Sequence, residues 1–252
     1  MVISEKTACL IIIGDEILSG RVQDLNLNYL AKWLNQQGVD LKASHVIQDV
    51  EDVIISTLNS ARKTYSYVFT TGGIGPTHDD ITSKAVARAF GVKMELREEA
   101  VDLLKAQYPN HKISKPGIKM ATFPVGAEMI ANSVSAAPGF KMENVYVMAG
   151  IPKIMQAMLG VLEGQIEGSG IVLSKAVTAY ISEGKMALPL ENIQKEYPNT
   201  TIGSYPFFNN QDDFGTTLVV RSRDEISVTS AIQDIKSWLD KNEARYKEGE
   251  RK

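Results

Sequence analysis

"TTGGIGPTHDD", Thr70 to Asp80, packs three glycines, a proline, a histidine and two adjacent aspartates between an apolar run and a helix-like pattern. Upstream, "YVFTT" is short and apolar, as in a buried strand. Downstream, Ile81, Ala85 and Ala89 recur at helical spacing, and Gly91 ends that helix. The stretch is therefore a strand, a glycine turn and a helix start, and the residues before it repeat that order. "TACLIIIG" (Thr7 to Gly14) is continuously apolar and β-branched, the pattern of a strand buried on both faces. In "NLNYLAKWLNQQG", Leu27, Leu30, Ala31 and Leu34 share a helical face, and Gly38 suits the helix end. "VDLKASHV" alternates as a strand. "DVEDVIISTLNSARK" opens with Asp49 and Asp52 spaced as a capping box, followed by the stripe Val53, Ile54, Leu58 and Ala61. Strand and helix alternating three times predict an α/β fold, with a mostly parallel sheet covered by helices on both faces. Ligands of such sheets sit beyond the carboxyl ends of the strands. Two loops leave strand ends here, "GDEILSG" and "GGIGPTHDD", and both are expected to line one cleft.

Further along, "REEAVDLLKAQYP" reads as a helix. "HKISKPGIKMATFPVGAEMI" reads as mostly loop, with a short strand near Glu128 to Ile130. "NVYVMAGIP" reads as a strand running into a turn, and "PKIMQAMLGVLEGQI" as a helix with proline near its start. "EGSG" (Glu167 to Gly170) suits a linker, dividing the chain into domains 1–168 and 169–252. Beyond it, "IVLSKAVTAYI", "TIGSYPFF" and "TTLVVRSR" read as strands. "LPLENIQKEYP" and "EISVTSAIQDIKSWLDK" read as helices, which makes a small α+β unit. The polar tail "KNEARYKEGERK" reads as a fraying helix end.

Composition narrows the classes of function. The 252 residues are 44% hydrophobic and 23% charged, with net charge -3. That balance lacks the basic footprint of a nucleic-acid binder. No apolar run reaches the ~18 residues of a membrane span, and nothing at the start reads as a signal peptide, so a cytoplasmic protein is expected. The one cysteine, Cys9, lies inside "ACLIII" and is expected in the core.

The glycine turn offers two chemistries. Gly72, Gly73 and Gly75 permit positive φ and a close approach to the backbone, and the following helix offers free N–H groups to an anion. The same turn also suits a tight connection with no ligand. Asp79 and Asp80 suit the first turn of a helix, with Thr77 and Asp80 at capping-box spacing. Capping there does not explain Asp15 and Glu16, two more acids directly after a buried strand, facing the same expected cleft. Converging carboxylates repel phosphate unless a cation compensates. Hard oxygen ligands suit Mg²⁺ or Mn²⁺, which bridge carboxylates to pyrophosphate and activate water. Asp15, Glu16, Asp79 and Asp80 are thus the candidate catalytic and metal-holding residues. Thr70, Thr71 and Thr77 are candidate hydroxyl donors to phosphate, and His78 a candidate phosphate contact or general acid. Lys119, Lys153 and Arg21 are available to neutralise phosphate. His45 and His111 lack metal-ligand spacing.

"GDEILSGRVQDLN", "TTGGIGPTHDDIT", "GAEMIANSVSAAPGF" and "MAGIPKIM" occur in the order seen in the CinA family. They also resemble the molybdopterin-binding-type domain of FAD synthase, within the MoaB/Mog superfamily. The likeness extends to "TIGSYPFFNN" and so covers most of the chain. The resemblance implies a three-layer α/β/α sandwich. It adds Gly14, Asn132, Pro138, Gly139 and Gly150 to the ligand-contacting set, beside Thr71, Gly72, Gly73, Gly75, Thr77 and His78. In Mog-type enzymes the acids matching Asp15 and Asp80 line a pterin cleft. In CinA-like and FAD-synthase-like members a similar domain hydrolyses the pyrophosphate of ADP-ribose or FAD with a divalent metal (Mg, Mn or Co). A molybdopterin-binding or nucleotidyl-transfer role, or a non-catalytic binding module, are the alternatives that the resemblance leaves open. It also implies a small-molecule nucleotide or pterin partner and a homodimer. The sequence departs from the family at Ala149, where proline is usual, and at Ser133 and Ser135 in the asparagine–proline run. Deamidase activity, carried by a further domain of full-length CinA, is not transferred.

Overall fold

The computed structural model describes residues 5–107, 114–210 and 213–251. His111 and the ends of two expected segments lie outside them. The chain divides into two compact units, Met1–Ser169 and Gly170–Lys252.

The first unit runs β1 (Thr7–Ile13), α1 (Asp15–Leu18), α2 (Asn26–Gln36), β2 (Asp40–Ile47), α3 (Glu51–Thr64), β3 (Tyr67–Thr71) and α4 (Thr82–Phe90). It continues with β4 (Met94–Leu96), α5 (Glu98–Gln107), α6 (Lys115–Met120), β5 (Thr122–Pro124), β6 (Glu128–Ile130), β7 (Gly139–Met142), β8 (Val145–Met148) and α7 (Pro152–Val161). One sheet has the order β2-β1-β3-β8-β7-β6. Its β2, β1, β3 and β8 are parallel neighbours, while β7 and β6 run antiparallel at one edge.

Alternation along β1 builds the three layers. Cys9, Ile11 and Ile13 pack on one face with Ile54, Leu58 and Ala61 of α3 and Ala85 and Val86 of α4. Ala8, Leu10 and Ile12 pack on the other with Leu30 and Leu34 of α2 and Met155, Met158 and Leu159 of α7. A strand whose every side chain meets a helix must be apolar throughout, which is why "ACLIII" shows no polar alternation. Cys9 is one of these core residues, and burial pushes its thiol up to about 11. Gly38 closes α2 in the left-handed region at φ +73, with Val39 N–H bonding the Leu34 carbonyl. Gly91 closes α4 at φ +68.

Two sequence expectations for this unit are corrected. α3 begins after Val50 with no side-chain cap, so Asp49 does not cap it. The stretch expected as loop holds α6 and β5. β5 pairs with β4 in a two-stranded ribbon too short for periodicity to reveal. β7 is likewise four residues long, and pairing with β8 carries it rather than its own pattern.

The second unit holds β9 (Leu173–Ala179), α8 (Glu183–Glu196), β10 (Thr201–Asn210), β11 (Asp213–Ser222), α9 (Glu225–Lys241) and β12 (Tyr246–Glu248). Its antiparallel sheet has the order β10-β11-β9-β12, and its own core includes Val177, Leu218, Val220, Val228 and Ile235. The tail expected to fray instead forms β12, paired to β9 with Tyr246 opposite Ala179. The Tyr246 ring packs on the core, which secures a strand that charge-rich composition alone argued against.

Candidate functional site

The carboxyl ends of β1, β3 and β8 meet at three glycines. Gly72 follows β3 at φ +103, and a β-carbon there would lie 2.1 Å from the Ile13 carbonyl oxygen at the end of β1. Gly150 follows β8, and its β-carbon would lie 3.3 Å from Gly72 Cα. The Gly72 N–H bonds the Met148 carbonyl at 3.2 Å. Gly73, at φ +68, would drive a β-carbon to 2.1 Å from Thr82 Oγ1, and its carbonyl accepts the Thr82 N–H. These glycines are required by the packing of three adjacent strand ends and the start of α4, before any ligand is considered. Helix α4 begins at Thr82, so the loop 72–81 stands in front of its amino end, and the Thr82 N–H is already engaged.

Two acid-bearing turns flank this junction. After β1, Gly14 leaves room for Glu16: a β-carbon at Gly14 would sit 2.5 Å from the Glu16 carboxylate. The Asp15 N–H donates to Asp49 Oδ2 at 2.9 Å. In the second turn, Asp80 Oδ2 accepts from the Thr77 N–H at 2.8 Å and from the Thr77 hydroxyl at 2.5 Å. The Asp80 carboxylate lies against Gly75, whose β-carbon would meet it at 2.7 Å. Thr77 and Asp80 thus make half of the expected capping box, but within the loop and ahead of the helix. The Lys119 ammonium, on α6, donates to the Thr77 carbonyl. His78 is almost fully exposed, with Nδ1 4.0 Å from Asp79 Oδ1.

Asp49 is the residue that sequence reasoning assigned to a cap. It follows β2, the parallel neighbour of β1, so it stands at a third strand end of the same rim. Burial pushes its carboxyl above the usual range. The Asp15 N–H opposes that shift, and the charges of Glu16, Asp15 and Asp79 add to it. Asp79 is held low by the Thr77 hydroxyl first, then by its own backbone N–H and the charges of His78 and Lys119. The hydrogen bond that the Thr77 hydroxyl makes goes to Asp80 Oδ2. Acids from three strand ends share one electrostatic field. The signal that would have found Asp49 is position: an acid directly after a parallel strand, as Asp15 is.

The remaining expected contacts lie deeper. Thr71 is buried beside Thr70 and Thr82, and all three hydroxyls lack a hydrogen-bond partner. Asn132 spends its polar atoms on its own loop: Nδ2 donates to the Ala137 carbonyl, and Oδ1 accepts from the Val134 and Ser135 N–H groups. Pro138 and Gly139 are buried, and a β-carbon at Gly139 would strike the Val147 carbonyl oxygen at 2.3 Å.

The candidate donors are the carboxylates of Asp15, Glu16, Asp79 and Asp80. Their hard oxygens and mutual repulsion suit a divalent cation. Among the described residues, however, no three His, Cys, Asp or Glu side chains already stand together as a site. Among the described residues no helix is long and apolar enough to cross a membrane.

Comparison with known proteins agrees with this architecture. Residues 9–167 match the model described as a probable molybdopterin binding domain, and residues 171–248 match the middle domain of FAD synthase. A protein of Archaeoglobus fulgidus is 34% identical over 78% of this chain and 84% of its own length. A protein of Pyrococcus furiosus is 32% identical over 90% of this chain and 95% of its own. A probable FAD synthase of Caenorhabditis elegans is 28% identical over 93% of this chain, which spans half of that protein. The crystal structure of the protein CinA, with unknown function, from Thermoplasma acidophilum superposes with a TM-score of 0.60 at 30% identity, covering 64% of this chain and 98% of that one. The chain belongs to the molybdopterin-binding domain family, and its residues 171–248 are similar to the middle domain of FAD synthase.

Proposed function

We propose that the cleft hydrolyses the pyrophosphate bond of a dinucleotide such as ADP-ribose or FAD with the help of a divalent cation. The observation that carries this reading is the placement of acid-bearing turns after β1, β2 and β3: Asp49 accepts the Asp15 N–H beside Glu16, and Asp80 accepts the Thr77 N–H in the loop that follows Gly72 and Gly73. Several carboxylates beside a glycine turn favour a ligand that brings phosphate and cation together.

Asp15, Glu16, Asp79 and Asp80 hold the cation, which supplies charge neutralisation and a more acidic water when bound. The turn at Gly73 and Gly75, with Lys119, positions the phosphates, while the Gly72 N–H on the Met148 carbonyl and Thr77 on Asp80 hold the shape of the loop. Asp49 is the general base. It stands at the end of β2 beside the acids that hold the cation, and the Asp15 N–H bonded to its Oδ2 fixes its aim. Asp49 takes a proton from water as the water oxygen bonds to one phosphorus. The bridging P–O bond breaks, and the leaving phosphate takes up a proton, so two phosphomonoesters form.

The test is AMP release from ADP-ribose or FAD with Mg²⁺, Mn²⁺ or Co²⁺, and its loss in Asp49→Asn and Asp80→Asn. AMP production that survives both substitutions contradicts the assignment. The second reading, binding of a molybdopterin in the same cleft, is favoured by the family description of residues 9–167. A pterin copurifying with protein that releases no AMP supports it instead. A homodimer and a cytoplasmic setting remain part of the proposal.

A further inference from the structure

The mouth of the cleft carries an apolar rim that phosphate and cation leave unused. Leu18, Val22, Leu25, Tyr29 and Ile151 are all exposed, Leu25 at 57% and Ile151 at 61%. Their neighbours in sequence are not: Leu30, Trp33 and Leu34 are buried, so the segment had core positions available and left these side chains outside. Hydrogen bonds fix the rim to the junction. The Val22 N–H bonds the Glu16 carbonyl at 3.1 Å, folding the loop after α1 back on the acid-bearing turn. Asn26, itself buried, donates from Nδ2 to the Gly150 carbonyl at 2.8 Å. Leu25 precedes Asn26 and Ile151 follows Gly150, and Gly150 abuts Gly72. Tyr29 lies one helical turn beyond Leu25 and extends the same strip with a ring.

The exposed Leu25 and Ile151 each adjoin the Asn26–Gly150 hydrogen bond, and Gly150 abuts Gly72, so apolar side chains flank the glycine junction, which matches a ligand that is anionic at one end and flat and apolar at the other. We infer that Leu25 and Ile151 seat the heteroaromatic ring of a nucleotide whose phosphate lies at the Gly72–Gly73 turn. This rests on the proposed function and names the part of the substrate that the carboxylates do not recognise. The aliphatic side chains offer a flat apolar contact, with Tyr29 as an adjoining aromatic face.

The test compares two probes, AMP and ribose 5-phosphate, by calorimetry with Mg²⁺ on the full chain and on Leu25→Ser/Ile151→Ser. Both positions are exposed, so the variant is expected to fold, and circular dichroism checks that it does. AMP affinity is expected to fall about tenfold, the loss carried by roughly 60 Å² of apolar contact, while ribose 5-phosphate binds as before. Unchanged AMP affinity overturns the inference, as does an equal fall for both probes. A variant that turns from dimer to monomer in sedimentation with AMP binding intact also overturns it, because the rim then serves a second copy of the chain. If the unaltered protein binds AMP more tightly than ribose 5-phosphate yet releases no AMP from dinucleotides, the inference stands and the hydrolytic reading fails. If it binds neither probe, the phosphate turn itself is refuted and the inference with it.

Discussion

Gly72 shows how narrowly single residues are constrained at this site. Its φ of +103 and the 2.1 Å approach of a β-carbon to the Ile13 carbonyl oxygen oppose any side chain twice, by conformation and by collision with backbone. Gly72→Ala is expected to destabilise the protein by about 1–3 kcal/mol or more, read as a lower midpoint in urea unfolding. An unchanged midpoint would show that the turn relaxes freely. Asp49 is constrained by charge. Asp49→Asn retains an oxygen that accepts the Asp15 N–H but removes the base, so kcat should fall about 100-fold or more with little change in KM. A rise in KM alone would make Asp49 a binding residue. At this scale the sequence was partly legible. The glycines and the acids at 15, 16, 79 and 80 stood out because each follows a recognisable strand. Asp49 did not, because Asp52 three residues later offered a local explanation, and only the fold places Asp49 against Asp15. Asn132, Pro138 and Gly139 show what a sequence reading of contacts does not include. The structure gives their hydrogen bonds and burial to the chain's own loop and strand packing.

Elements with a long apolar period were legible: β1, α2, α3, β3 and α9 all stand where their patterns put them. Short ribbons such as β4–β5 were not, since three residues carry no period and their pairing partners lie far along the chain. The tail illustrates the same physics. Tyr246 gains from the core, and Arg251 reaches back to grip Asp213 at the start of β11, with Nη1 at 2.7 Å and Nη2 at 2.6 Å. Arg251, then Asn209, hold the Asp213 carboxyl well below its usual range, down to about 2. A depressed acid stabilises the folded state above its unfolded value near 3.8, and that contribution is lost as pH falls toward about 2. Melting temperatures should therefore separate the protein from Asp213→Asn at neutral pH and converge between about pH 4 and 2. A constant gap across that range would mean that the Arg251 clasp contributes nothing to folding. The cap of α9 is a smaller lever. Asp224 Oδ1 accepts the Ile226 N–H at 3.1 Å, so Asp224→Ala should cost about 1 kcal/mol.

At the scale of the molecule, two apolar layers enclose the parallel sheet of the first unit, while the second unit has a separate core of its own. A fragment spanning Gly170–Lys252 should accordingly fold alone, with a cooperative thermal transition by circular dichroism; a non-cooperative slope would show that its core needs the rest of the chain. The alternation of strands and helices announced the first architecture, because a sheet covered on both faces leaves a continuous apolar signature. Its chemistry was less legible, since a cleft at strand ends gathers residues from separate loops, and a residue's distance along the chain says little about which acids meet. Under the proposed function those acids act together on a phosphate-bearing ligand. The most direct measurement follows AMP from ADP-ribose and FAD, with and without Mg²⁺, Mn²⁺ or Co²⁺, in the protein and in Asp49→Asn and Asp80→Asn. Cation-dependent AMP release, abolished in both variants while each still folds, is the result predicted. No AMP from either substrate with any of the three ions would contradict it and leave the carboxylates as ligand contacts in a binding cleft.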